Sequence, residues 1–168
     1  KMLEAGGMAV LTDGIRAADE DNPKGYYEFE RVKQIEKDTG WLPDARGKAV
    51  KMISALLRHL PPTERYRIVF MRRNMDEVLA SQRRMLERRG QPANPADDPK
   101  MAAFFTKHLA QVEQWAASQP NVDVLDVSYN AMVADPPSLC AQVAAFCGGL
   151  DAAAMAAVAD RELHRNRS

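Results

Sequence analysis

Residues 66–90 read YRIVFMRRNMDEVLASQRRMLERRG. The apolar run 66–71 is too short for a helix and has the character of a strand buried on both faces. It ends in Arg72, Arg73 and Asn74. Asparagine is a good helix N-cap, and Asp76 and Glu77 place negative charge where the macrodipole favours it. Leu79, Met85 and Leu86 recur at helical spacing, and Gly90 supplies a stop. The stretch therefore predicts strand, tight turn and helix, with arginines at the carboxyl end of the strand. In open α/β sheets ligands gather at that end. A guanidinium beside a helix N-terminus suits an anion, most naturally a phosphate. An arginine pair that merely caps a strand is the competing reading.

Outward from this unit the chain alternates short apolar runs with helical patterns. Strands are expected near 9–12, 48–53, 66–71 and 122–127. Helices are expected at 30–39, 99–118, 137–147 and from 151 onward. In the long helix 99–118, Met101, Phe104, Phe105, Leu109, Val112 and Trp115 form a stripe that reads as core. Residues 16–27 and 91–99 read as loops. The alternation predicts an α/β fold, a parallel sheet with helices on both faces. No repeat or second domain is visible.

The 168 residues suit one domain. Acidic and basic residues balance, 23 against 23. A neutral balance supplies no global field for nucleic acid or an anionic membrane. The arginines cluster locally instead, at 83–89 and 161–167. No stretch is apolar for long enough to span a bilayer. Cys140 and Cys147 fall in one predicted helix, about 10 Å apart along its axis. That is too far for a disulfide, and both read as buried thiols of a reduced, cytoplasmic protein. No set of ligands at metal-binding spacing accompanies them.

RIVFMRRNMDEVLAS resembles the segment of sulfotransferases that holds the 3′-phosphate of 3′-phosphoadenosine-5′-phosphosulfate (PAPS). In that family a strand ends in Arg-Asn-Pro or a similar triplet, and a serine follows eight residues after the arginine. Arg73 and Ser81 stand at that spacing here, with Met75 in the place of the proline. VLDVSYNAMVADP, 124–136, is similar to the family's strand followed by Tyr-Glu-Asp-Leu and Asp-Pro. NPKGYYE, 22–28, is similar to a segment common in bacterial members. The resemblance implies a P-loop NTPase-like three-layer sandwich and PAPS as donor, without a metal. It implies a hydroxyl or amine acceptor, on a small molecule, glycan or peptide, and Arg73 and Ser81 as donor-binding residues.

The family's second phosphate site, a Pro-Arg-Ser-Gly-Thr-like loop after the first strand, does not occur in this sequence. In the family it precedes a helix ending like MLEAGGM, and this chain opens with KMLEAGGM. The expectation is a domain lacking its first strand and loop, with reduced or no activity by itself. The lost strand is central in the P-loop layout. Its neighbours would expose unpaired ladder groups, so a homo-oligomer or some other cover is expected.

Sulfuryl transfer needs a base for the acceptor's proton and cations for the leaving phosphate. Many members carry a histidine two places after a lysine, at the strand that here reads KAVKMIS. Lys51 fits the lysine, but Ile53 occupies the histidine's place. Other members use a glutamate, for which Glu28 and Glu30 are candidates. Glu28 is preferred because Tyr26, Tyr27 and Phe29 can desolvate it and raise its pKa. An exposed glutamate at a helix start is the plainer reading of either. The basic tail 161–167 reads as a solvated charge run. Two other functions remain open: a P-loop kinase-like phosphate binder, which needs a Walker A loop and a magnesium aspartate, and a non-catalytic assembly module.

Overall fold

The computed structural model describes residues 1–15 and 26–159. The loop at 16–25, the first part of the NPKGYYE stretch and the basic tail lie outside the described residues. In chain order the elements are helix α1 (Met2–Ala5), helix α2 (Leu42–Ala45), strand β1 (Tyr66–Arg72), helix α3 (Met75–Arg88), helix α4 (Asp98–Ala117), strand β2 (Val122–Ser128), helix α5 (Tyr129–Ala134), helix α6 (Pro136–Phe146) and helix α7 (Ala152–Ala157). Short 3₁₀ turns cover Glu30–Gln34, Ser54–His59 and Pro95–Asp97.

Each junction follows from a local choice. The Asn74 side chain accepts the Asp76 N–H and opens α3. Gly90, at φ 66°, closes the turn beyond that helix. Ser128, Asp135 and Asp151 cap α5, α6 and α7 in the same way, accepting from Ala131, Ser138 and Ala154. Pro136 and Pro137 occupy the first turn of α6, where a missing N–H costs no helical bond.

β1 and β2 pair in parallel, with Tyr66 opposite Val122 and Arg72 opposite Ser128. One face of the pair, with Ile68, Phe70, Val122 and Val124, lies across a cavity of about 320 Å³ from Val112 and Ala116 of α4. The other face, with Val69, Leu125 and Val127, packs on Met132, Cys140, Val143, Ala144 and Met155 of α5, α6 and α7. The sheet thus carries helices on both faces, as the alternation predicts. A second apolar cluster gathers Val32, Ile35, Trp41 and Leu42. Both cysteines are free thiols.

Several expectations need correction. The strands at 9–12 and 48–53 reduce to one parallel bridge, Val10 to Ala49. Ala49 donates to the Ala9 carbonyl and accepts from the Leu11 N–H, but the chain turns on both sides of that point. Lys48 donates back to Ala45, and Leu56 donates to Ile53 in the following 3₁₀ turn. The helix expected over 30–39 is a 3₁₀ turn ending at Gln34. The stripe of α4 is only half-covered: the helix contains no fully buried residue, and Phe104 is 63% exposed.

Candidate functional site

At the carboxyl end of β1 two arginines diverge. Arg72 Nε donates to Asp126 Oδ1 of β2 at 2.6 Å, and its Nη2 lies 2.7 Å from Glu113 Oε1 of α4. Its guanidinium also lies 4.3 Å from the centroid of the Phe70 ring. Burial works against the Arg72 charge, but the two carboxylates outweigh it and hold the pKa above the ordinary arginine value. Arg72 is consumed in joining β1, β2 and α4.

Arg73 is held differently. Its Nε donates to Glu77 Oε2 at 2.9 Å, one helical turn on, and its guanidinium lies 5.1 Å from the centroid of the Tyr129 ring. Glu77 is only 4% exposed, and its other oxygen accepts from Asn130 Nδ2 at 2.7 Å. A buried carboxylate with charged and amide donors on both oxygens fixes its partners in place. Beyond this ion pair, the Nη groups of Arg73 make no hydrogen bond among the described residues, so their N–H bonds can meet an anion. The N-terminus of α3 follows at once, with Asn74 as cap.

Ser81 is half-buried in the second turn of α3 and its hydroxyl has no partner among the described residues. It stands one turn beyond Glu77, on the stripe that Arg73 and Glu77 begin at i, i+4 spacing. Farther along α3, Arg83 pairs with Asp98 at the start of α4.

The other two predicted residues come together. Lys51 Nζ lies 3.4 Å from Glu28 Oε1, and 5.5 Å from the centroid of the Tyr26 ring. The other aromatic neighbours of Glu28 are engaged elsewhere. Tyr27 donates to Glu4 Oε2 at 2.6 Å, and Phe29 meets Trp41 edge to face at 5.4 Å. Of the three aromatic residues expected around Glu28, Tyr26 meets the pair through the Lys51 ammonium. No hydrogen bond or ion pair joins the Glu28–Lys51 pair to Arg73 or Ser81 among the described residues. Glu30 is bound in a surface pair with Lys33 at 2.7 Å.

Ile53 is 64% exposed. The next residue, Ser54, has its Oγ 2.9 Å from His108 Nε2 of α4. Sequence reasoning missed that imidazole because it comes from a helix 54 positions away. It also missed Glu77, Tyr129 and Asn130. Glu77 offered one signal, its i+4 spacing from Arg73, which equally describes an ordinary surface pair.

The chain was compared with known proteins. A family model described as "Sulfotransferase family" matches residues 15–151. No curated protein and no solved structure matches.

Proposed function

The chain belongs to the sulfotransferase family, and we propose that its site at the end of β1 binds the 3′-phosphate of PAPS. In this reading the free Nη fork of Arg73 and the Ser81 hydroxyl hold the phosphate. The N-terminus of α3 adds its dipole. The observation that carries the reading is the anchoring of Arg73. Glu77 and Tyr129 hold one side of the guanidinium and leave the other side for an anion.

The reaction we propose is sulfuryl transfer to a hydroxyl or amine. The acceptor's oxygen or nitrogen forms a bond to sulfur as the bond from sulfur to the 5′-phosphate oxygen breaks. The acceptor's proton passes to a base, and 3′-phosphoadenosine 5′-phosphate leaves. Glu28 is our candidate base, and Lys51 the cation for the leaving phosphate. Their separation of 3.4 Å supports a joint role. It also means that Lys51 must turn from Glu28 toward the phosphate for both to act. A second reading, a non-catalytic module, draws support from the small sheet, in which β1 pairs with β2 alone among the described residues.

Calorimetry with 3′-phosphoadenosine 5′-phosphate, and with the same nucleotide lacking its 3′-phosphate, tests the site. Charge-assisted hydrogen bonds contribute about 1.5–3 kcal/mol each, roughly one to two decades of affinity. Arg73→Ala and Ser81→Ala should weaken the first ligand and leave the second nearly unchanged. Arg73→Lys should also lose affinity, since an ammonium lacks the planar fork. Equal affinity for the two ligands on the wild-type chain would overturn the assignment.

A further inference from the structure

The register of α4 against β1 explains the exposure of Phe104 and draws attention to its neighbour one turn on. α4 ends at Ala117, and β2 begins at Val122, opposite Tyr66 at the amino end of β1. The helix therefore runs toward the amino end of the sheet. Its Glu113 reaches Arg72, the last residue of β1, at 2.7 Å. Residues before Glu113 then overhang the carboxyl end of the strand. At 1.5 Å per residue, His108 stands about 7.5 Å along the axis from Glu113 and Phe104 about 13.5 Å. Phe104, 63% exposed, has run past the sheet. The space beyond the carboxyl ends of the strands is where α/β proteins take their ligands, and His108 borders it.

In this overhang His108 is half-buried, and its Nε2 lies 2.9 Å from the Oγ of Ser54, itself half-buried. Ser54 opens the 3₁₀ turn Ser54–His59, and Ile53 before it is extended, at φ −81° and ψ 147°. Lys51 stands three residues back along the same segment, about 10 Å at 3.3 Å per residue. One short segment thus carries both the ammonium and the hydroxyl, and α4 backs the hydroxyl with an imidazole. Such a pair is built to move a proton. With the ring proton on Nδ1, Ser54 donates its hydroxyl hydrogen to the Nε2 lone pair, and the oxygen keeps lone pairs for a second proton.

Resting on the sulfuryl-transfer reading above, we propose that the acceptor's proton leaves through Ser54 to His108, and that the acceptor group is a hydroxyl. The acceptor's O–H proton passes to Ser54 Oγ as the Ser54 proton passes to Nε2, which leaves an imidazolium. The acceptor oxygen forms its bond to sulfur, and the electron pair of the breaking bond goes to the 5′-phosphate oxygen. This route keeps Glu28 beside Lys51, where the pair stands at 3.4 Å. The carboxylate then orients the lysine, and no proton has to reach a group already engaged with the cation. The relay suits a hydroxyl because a hydroxyl attacks only as it loses its proton. An amine attacks with its own lone pair and sheds the proton afterwards.

The test is transfer from PAPS by the full chain, at about pH 8.5, to two probe acceptors, phenol and 4-nitrophenol. Phenol keeps its proton there and needs the relay. 4-Nitrophenol is already ionised and does not. His108→Gln should slow transfer to phenol about 100-fold or more, and transfer to 4-nitrophenol less than about threefold. Ser54→Ala leaves the imidazole in place and should show the same selectivity, so it carries the test if the His108 variant does not fold. Glu28→Gln should slow both acceptors alike. Calorimetry with 3′-phosphoadenosine 5′-phosphate should give the same affinity for wild type, His108→Gln and Ser54→Ala. Equal losses for the two phenols would mean that the pair only packs α4 against the turn, and would overturn the proposal. So would a loss in Glu28→Gln confined to phenol, which would make Glu28 the base. A wild-type chain that binds the nucleotide and transfers to neither phenol would overturn the proposal while the donor site stands. A chain that does not bind the nucleotide would overturn the reading on which the proposal rests.

Discussion

Replacing Glu77 by alanine probes both the architecture and the proposed anion site. Glu77 is 4% exposed and accepts from Arg73 Nε at 2.9 Å and Asn130 Nδ2 at 2.7 Å. It ties α3 to the start of α5, which follows β2 directly. Removing one partner of a buried charged pair costs about 3–5 kcal/mol, because the remaining group is left desolvated and unpaired. The Arg73 side chain is 26% exposed, so water recovers part of its loss. The lower end applies, and we expect Glu77→Ala to cost about 3 kcal/mol. For a domain of this size that lowers Tm by roughly 6–12 °C. Urea unfolding should move its midpoint at an unchanged slope. The double variant Glu77→Leu with Arg73→Met removes both charges together and should recover much of the loss. The same Glu77→Ala change should weaken 3′-phosphoadenosine 5′-phosphate, since the fork of Arg73 is no longer held. A loss under about 1 kcal/mol with unchanged ligand affinity would refute the idea that Glu77 positions Arg73.

Other outcomes follow from the packing and the charges. Trp41 is 1% exposed, stacks edge to face on Phe29 and donates from its indole N–H to the Asp38 carbonyl. Trp41→Ala should cost about 3–5 kcal/mol in chemical denaturation. The Arg31 guanidinium, and then the Gly40 N–H, hold Asp38 below the usual carboxylate range, while the Glu30 and Ile15 N–H groups do so for Asp13. Groups with depressed folded pKa values stabilise the fold above the unfolded value, near pH 4, and lose that contribution as the pH falls through the folded one. Tm should therefore hold from pH 7 to about 5 and fall below about 4, and Arg31→Gln should flatten that fall; a slope that Arg31→Gln leaves unaltered would count against it. Burial pushes both thiols up in pKa, although Arg67 pulls Cys147 the other way. A thiol reagent at pH 8 should label the half-buried Cys147 slowly and reach Cys140 only on unfolding.

The unit at 66–90 was legible because each of its signals is local. A short apolar run, an asparagine cap, acids in the first turn and a closing glycine lie within 25 consecutive residues, and the structure forms β1 and α3 there. The helices expected at 137–147 and from 151 onward form as α6 and α7, although their aspartate caps went unread. Residues 9–12 and 48–53 were misjudged because a strand needs neighbours as well as propensity, and β1 does not pair with either segment. The stripe on α4 carried the right period, but period does not say how much of a helix is covered, and Phe104 stays in solvent. Arg73 was found from its place at the end of a strand and from its spacing to Ser81. What anchors it was hidden, since Tyr129 and Asn130 stand more than 50 positions away and reach it only through the parallel pairing of β1 with β2. Local chemistry thus determined where the strand-to-helix turn that presents Arg73 lies. The register of two strands, set by long-range burial, decided which side chains hold its arginine still.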